Sequence, residues 1–290
     1  MNNFQQKWMY LILLSLIWGS SFILMKKALI GLSPIQVGAL RIIITGLFLS
    51  IIGFNSLKKI KKEQWKYVLY SALLGTLFPS FFFAYAISGI DSSIASILNS
   101  LTPFNTLIFG FLVFGITFKK QQLVGILIGL TGTIILILKG AHLNPNQNYW
   151  FALLPILSSI GYAFNVNIIK KHLQELSPLA ITTGNFIIIL VPALVILAFT
   201  SFFTNFEINT TTTNSLFYIT ILAIIGTGIA KVMFNKLIQI SSPIFSTSVT
   251  YLIPIVAVVW GVIDGEKLSS VQLFAGLIIL IGVYLVNRKK

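Results

Sequence analysis

The sequence predicts an all-α membrane protein: ten transmembrane helices arranged as two five-helix inverted-topology repeats. Three observations lead there. Apolar runs of about 20 residues, the length that crosses a bilayer, recur along the whole chain. Short basic clusters punctuate them on alternate sides. A set of residue patterns also occurs twice at a nearly constant spacing. Five spans per half is an odd number, so the two copies must run in opposite directions through the membrane.

Composition sets the class. The 290 residues are 56% hydrophobic and 9% charged, against about 25% charged in a soluble domain. The net charge of +14 does not predict a nucleic-acid partner, because the lysines cluster between apolar runs as on a cytoplasmic membrane face. The absence of cysteine excludes disulfides, iron–sulfur clusters and thiolate metal sites. His142 and His172 fall in predicted loops without neighbouring ligands, so no metal and no cofactor is expected. The opening MNNFQQKWMYLILLSLIWG has a signal-like charge and apolar core but no small-x-small cleavage site, and it reads as a retained first helix.

The ten predicted spans are Trp8–Met25, Ile35–Phe54, Tyr67–Ile87, Ser93–Phe114, Leu123–Leu138, Trp150–Ile169, Leu179–Phe203, Leu216–Ile238, Pro243–Ile263 and Val271–Val286. With the N-terminus placed in the cytoplasm, Lys7, the run Lys58 to Lys66, Lys119, Lys120, Lys170, Lys171, Lys236, Arg288, Lys289 and Lys290 all fall inside. The loop TNFEINTTTTN, outside, carries no basic residue. The positive-inside rule therefore puts both termini in the cytoplasm of a multi-pass cell (inner) membrane protein.

The repeats divide the chain at 1–140 and 141–290. Trp18 matches Tyr162, Ser33-Pro34 matches Ser177-Pro178 and Arg41 matches Asn185 at a shift of 144. Beyond the Thr-rich loop the shift is 151, pairing Gly75-Thr76 with Gly226-Thr227, Pro103 with Pro254 and Gly125 with Gly276. Ser96, Asn99 and Pro103 lie at i, i+3 and i+7, one face of a helix. Thr247, Thr250 and Pro254 repeat them. A helical proline frees the carbonyl four residues back, here that of Asn99 or Thr250. Two interrupted, polar-faced helices at matching places point to a transporter's substrate site, with Pro103 and Pro254 as hinges.

At these residues the chain resembles the drug/metabolite transporter superfamily, specifically its ten-helix EamA-type exporters. The matching pieces are WGSSFILMK at Trp18–Lys26, LSP followed by Arg41 in ALR, and SSIASILNSLTPF at Ser92–Phe104. In the second half they are GTGIAKVMFNKLI at Gly226–Ile238, YLIPIVAVVWG at Tyr251–Gly261 and GEKL at Gly265–Leu268. The resemblance implies a basket of ten helices around a central cavity lined by the first, third and fourth helices of each half. It also implies efflux of small metabolites, amino acids or drugs. Two departures stand out. Phe114–Phe118 reads FGITF where relatives carry a Gly-Glu pair, and Lys231 replaces an aromatic or apolar residue.

The expected function is secondary transport of small polar metabolites, amino acids or related carboxylates, by alternating access and in the export direction. A multidrug carrier of the same fold is the alternative. A small-molecule substrate and the lipid bilayer are the expected partners, and oligomeric state is left open, a monomer being compatible. Candidate substrate-binding residues are Trp18, Tyr85, Ser96, Asn99, Tyr162, Asn165, Lys231, Thr247, Thr250 and Tyr251. Lys231 leads because a charge inside the bilayer costs roughly 2.5–3.5 kcal/mol and is too deep to snorkel. Lys26 and Arg41 add to the cationic bias, with no carboxylate near either in sequence. An enzyme would need a nucleophile–base pair or metal ligands at membrane depth, and the sequence offers none. The acidic residues Glu63, Asp91, Glu175, Glu207, Asp264 and Glu266 all fall in predicted loops or at span ends. That placement favours facilitated diffusion or exchange, with any proton linkage running through Lys231.

Overall fold

A computed structural model describes residues 3–115, 120–143, 146–204 and 209–287. Among them every element is helical and none is a strand. Eight helical stretches are long and apolar enough to cross a membrane. We number the helices α1 (Asn3–Ala28), α2 (Pro34–Gly53), α3 (Lys62–Gly89), α4 (Ser92–Phe114), α5 (Lys120–Leu143), α6 (Tyr149–His172), α7 (Pro178–Ala198), α8 (Thr210–Ile240), α9 (Pro243–Ile263) and α10 (Ser270–Asn287). Within α5 and α10 the apolar segments are shorter, Leu123–Leu136 and Ser270–Gly282. Side chains such as Ile51, Leu112 and Phe199 stand exposed on the outside of the bundle. In water such a surface would be unusual, but in lipid it is the expected one.

Local sequence sets the helix starts. Ser33, Ser177 and Ser242 each precede a proline, and each accepts a hydrogen bond from the backbone N–H three residues on. The proline contributes no N–H where none would find a helical partner. Helix pairing follows the sequence repeat. α2 packs on α7 and α5 on α10, while α1 packs on α8 and α9 just as α6 packs on α3 and α4. Small residues let the α5–α10 pair close up. A Cβ on Gly282 would come within 2.5 Å of the backbone nitrogen of Gly129.

Several expectations are corrected. The fourth and ninth spans are interrupted, as expected, but the breaks do not fall at Pro103 and Pro254. α4 breaks at Ser100–Leu101, between Ser92–Asn99 and Thr102–Phe114, and α9 breaks at Ser248, between Pro243–Thr247 and Val249–Ile263. Pro103 therefore stands in the first turn of a restarted helix, where it leaves no bond unmade. Meanwhile the Asn99 carbonyl accepts from Thr102 Oγ1 at 2.7 Å. Pro254 lies inside a helix, downstream of the break. Neither histidine is in a loop: α5 runs on to Leu143 and α6 ends at His172, whose ring stacks on Tyr67 at 3.8 Å. Lys26 is not without a carboxylate, because folding brings Asp264 and Glu266 to it. The substituted Gly-Glu position at Ile116–Phe118, Lys119, Glu207 and Arg288–Lys290 lie outside the described residues.

Candidate functional site

The site begins with two defects in the α-helical ladder. α3 opens into a π-helical turn at Leu73–Leu77, and α8 does the same at Leu222–Ile229. Each surrounds one copy of the repeated Gly-Thr pair. A π turn shifts the bonding by one residue and releases a carbonyl toward other donors. On α3 the released groups receive Lys231, whose Nζ donates to the Gly75 carbonyl and to Thr76 Oγ1, the latter at 2.7 Å. On α8 Trp18 Nε1 donates to the Gly226 carbonyl at 3.0 Å, and Arg41 Nε to Thr227 Oγ1 at 2.7 Å. Each threonine of the repeated pair thus holds a cation from another helix.

Around them is a cavity of about 80 Å³, room for roughly half a dozen waters. Its wall is largely made of residues related by the sequence repeat: Trp18 with Tyr162, Ser21 with Asn165, Phe83 with Phe234 and Asn99 with Thr250. The aromatic contacts are doubled in the same way, Trp18 on Phe234 at 4.9 Å and Tyr162 on Phe83 at 6.2 Å. So is the close packing at the π turns. A Cβ on Gly75 would meet the Asn165 side chain at 2.4 Å, and a Cβ on Gly226 would meet Ser21 Oγ at 2.7 Å. Only a residue without a side chain leaves room there for its polar neighbour.

Of the sequence candidates, Trp18, Asn99, Tyr162, Asn165, Lys231, Thr247 and Thr250 line this cavity. Ser96, Tyr85 and Tyr251 do not. Ser96 is fully buried with its hydroxyl on the Ser93 carbonyl at 2.7 Å, Tyr85 is 36% exposed, and Tyr251 packs into the core. Pro103 and Pro254 are buried beside the cavity wall without forming it. The mates Ser96 and Thr247 part company because the two helices break at different places. In α9 the break falls between Thr247 and Thr250, and in α4 it follows Asn99. The sequence reading missed Thr76 and Thr227 as cation holders. Their signal was present in the Gly-Thr pair that recurs at the repeat spacing.

A second polar cluster closes one end of the bundle. Lys26 Nζ lies 2.8 Å from Asp264 and 3.0 Å from Glu266, and Lys27 also pairs with Asp264. The Glu266 carboxylate is buried and accepts from the backbone N–H and hydroxyl of both Ser92 and Ser93, at 2.5–3.2 Å. It thereby caps the first turn of α4, where a negative charge meets the positive end of the helix dipole. Burial pushes its carboxyl up, but the serine and Lys26 hydrogen bonds outweigh that and hold it below the usual carboxylate range. The same balance, with Lys26 and Lys27 as donors, lowers Asp264. Nearby Asp91 is held up by burial, with only Gln147 and Lys26 acting against it. Among the described residues no group of histidines, cysteines and carboxylates could hold a metal ion.

A bundle of membrane-length helices around a central cavity with a few polar groups in a mainly apolar wall, taken with the family match to transporters, defines the class: a multi-pass membrane transporter, not an enzyme. The EamA-like transporter family model matches residues 6–138 and again residues 149–288, and the chain belongs to that family. It is 30% identical over 283 residues to the "Uncharacterized inner membrane transporter YedA" of Escherichia coli strain K12, covering 96% of this chain and 89% of that one. The "Uncharacterized transporter YvbV" of Bacillus subtilis is 24% identical over 95% of this chain and 90% of its own length. A "Probable amino-acid metabolite efflux pump" of Salmonella typhimurium is 23% identical over 94% of this chain and 92% of its own. A solved crystal structure, 17% identical, aligns over 96% of this chain and 95% of the other with a TM-score of 0.66, which speaks for the fold alone.

Proposed function

We propose that the protein is a secondary exporter of small polar metabolites, amino acids or related carboxylates, working by alternating access. The observation that carries this reading is the central cavity, walled by matched residues of the two halves and furnished with Arg41 and Lys231. The name of the Salmonella relative agrees with it. Trp18, Asn99, Tyr162, Asn165, Lys231, Thr247 and Thr250 form the binding wall, with Pro103 and Pro254 acting as hinges beside it. The ten helices act as two inverted halves, 1–140 and 141–290, in the inner membrane with both termini cytoplasmic. The doubled aromatic contacts, the doubled π turns and the pairing of α2 with α7 and α5 with α10 support that arrangement. Transport proceeds by facilitated diffusion or exchange.

The test is reconstitution of the full chain in proteoliposomes with a panel of radiolabelled small metabolites. Saturable exchange of at least one panel member supports the reading. A panel that never enters sealed vesicles faster than into empty ones rejects it. Because the chain has no cysteine, Lys59→Cys and Lys267→Cys report topology directly. In whole cells an impermeant maleimide should label only the second.

A further inference from the structure

Both charges of the cavity wall break the symmetry of the repeat. Arg41 and Lys231 line that wall, whereas their repeat mates Asn185 and Ser80 do not. Among the described residues neither cation has a counter-charge. The ion pairs among the described residues join Lys26 and Lys27 to Asp264 and Glu266, and Lys61 to Glu175, and no acidic residue lines the cavity. Their protein contacts are neutral oxygens, those of Thr227, Thr76 and Gly75. Arg41 uses its Nε alone. The four N–H groups of its guanidinium fork have no partner among the described residues, and a lysine ammonium held by two acceptors keeps a third donor. Both cations line the same cavity, so their positive charges add there. Buried like charges without compensation are costly, so something else supplies the negative charge.

We propose that the substrate carries two acidic groups, one for Arg41 and one for Lys231, so that this transporter selects dianionic side chains and skeletons over neutral amino acids. This rests on the transport function proposed above. A neutral amino acid brings one carboxylate for two cations and leaves its ammonium beside them. A compound with two carboxylates balances both. The same cavity is lined by Thr102, Thr247 and Thr250, whose hydroxyl protons are spent on the carbonyls of Asn99, Pro243, Ile244 and Thr247. What they present to the cavity is lone pairs, suited to an N–H donor. An acidic amino acid therefore satisfies both sets of groups: two carboxylates on the cations and an ammonium on the threonines.

The experiment is counterflow exchange in proteoliposomes of the full chain with glutamate, aspartate, succinate, glycerol phosphate and alanine. Glutamate or aspartate is expected to exchange at least tenfold faster than alanine, with succinate also above it and glycerol phosphate, which has one acidic group, below succinate. Arg41→Gln and Lys231→Met should each pull the glutamate-to-alanine ratio toward one, while Arg41→Lys keeps much of it. Monodispersity of each variant in detergent separates loss of folding from loss of recognition, and Arg41→Lys carries the test if the glutamine variant does not fold. Alanine exchange as fast as glutamate overturns the proposal but leaves the transporter standing. A ratio untouched by Lys231→Met overturns it too, since one cation would then suffice. Alanine exchange that requires chloride also overturns it, an inorganic anion then being the counter-charge. If no compound exchanges, the proposed function fails with it.

Discussion

Two sets of basic residues are drawn into this bundle, one part-exposed at an end and one lining the central cavity, and they are treated in opposite ways. At one end Lys26 meets Asp264 and Glu266 and Lys27 meets Asp264, and Glu266 ties Lys26 to the start of α4 through Ser92 and Ser93. In the centre Arg41 and Lys231 meet only hydroxyls and a carbonyl. The first set has its charges answered within the chain and holds three helix ends together. The second is held in place but left electrically open, facing a cavity. A cation paired by its own protein fastens the fold, and one left unpaired in a low-dielectric site is available to a ligand.

The comparison can be broken most forcefully at Glu266. Glu266→Ala leaves Lys26 short of a partner and the serine donors unanswered. Removing one member of a buried pair costs about 3–5 kcal/mol, and the partial exposure of Lys26 puts this one near ~3. A clear drop in unfolding temperature in detergent is expected, and an unchanged one would show that the cluster fastens nothing. In the cavity the effect should fall on transport instead. Thr76→Val and Thr227→Val each remove one acceptor that positions a cavity-lining cation, and substrate affinity should fall by about tenfold, a change of about 1.4 kcal/mol. Unfolding temperature should shift far less than in the Glu266 variant. Equal losses of stability in both sets would erase the distinction.

Acid sharpens the same contrast. Asp264 and Glu266 have folded values below their ordinary 3.8 and 4.5. Their contribution is therefore fully present above those ordinary values and is lost as pH falls through the lower, folded ones. Asp91, held up, works in the opposite sense, being relieved by protonation. Unfolding temperature should decline as the pH drops below about 4, and in Glu266→Gln this decline should be shallower. The smallest effect belongs to Lys61 and Glu175, 3.9 Å apart with side chains 71% and 81% exposed. Lys61→Ala should change stability by less than ~0.5 kcal/mol.

Much of the cavity wall was legible because the repeat writes it twice. Trp18 and Tyr162, or Asn99 and Thr250, were found by spacing alone, and they line one cavity. Ser96 was not correctly placed by that logic. A face drawn on an unbroken helix ignores that α4 is interrupted after Asn99, and the Ser96 hydroxyl is turned back to its own helix. Thr76 and Thr227 carried the repeat signal too, but nothing in a threonine announces that its helix will open into a π turn beside it.

The sequence by itself determined the class and the doubling. Apolar length matched to a bilayer, basic clusters and a recurring pattern are properties of the chain read in order, and each has a direct physical consequence in a membrane. The tertiary structure alone decided which charges are answered. Lys26 and Glu266 are 240 positions apart, and Arg41 and Thr227 are 186. Electrostatics depends on separation in space, so whether a buried cation is a fastener or an open site exists only once the helices are packed.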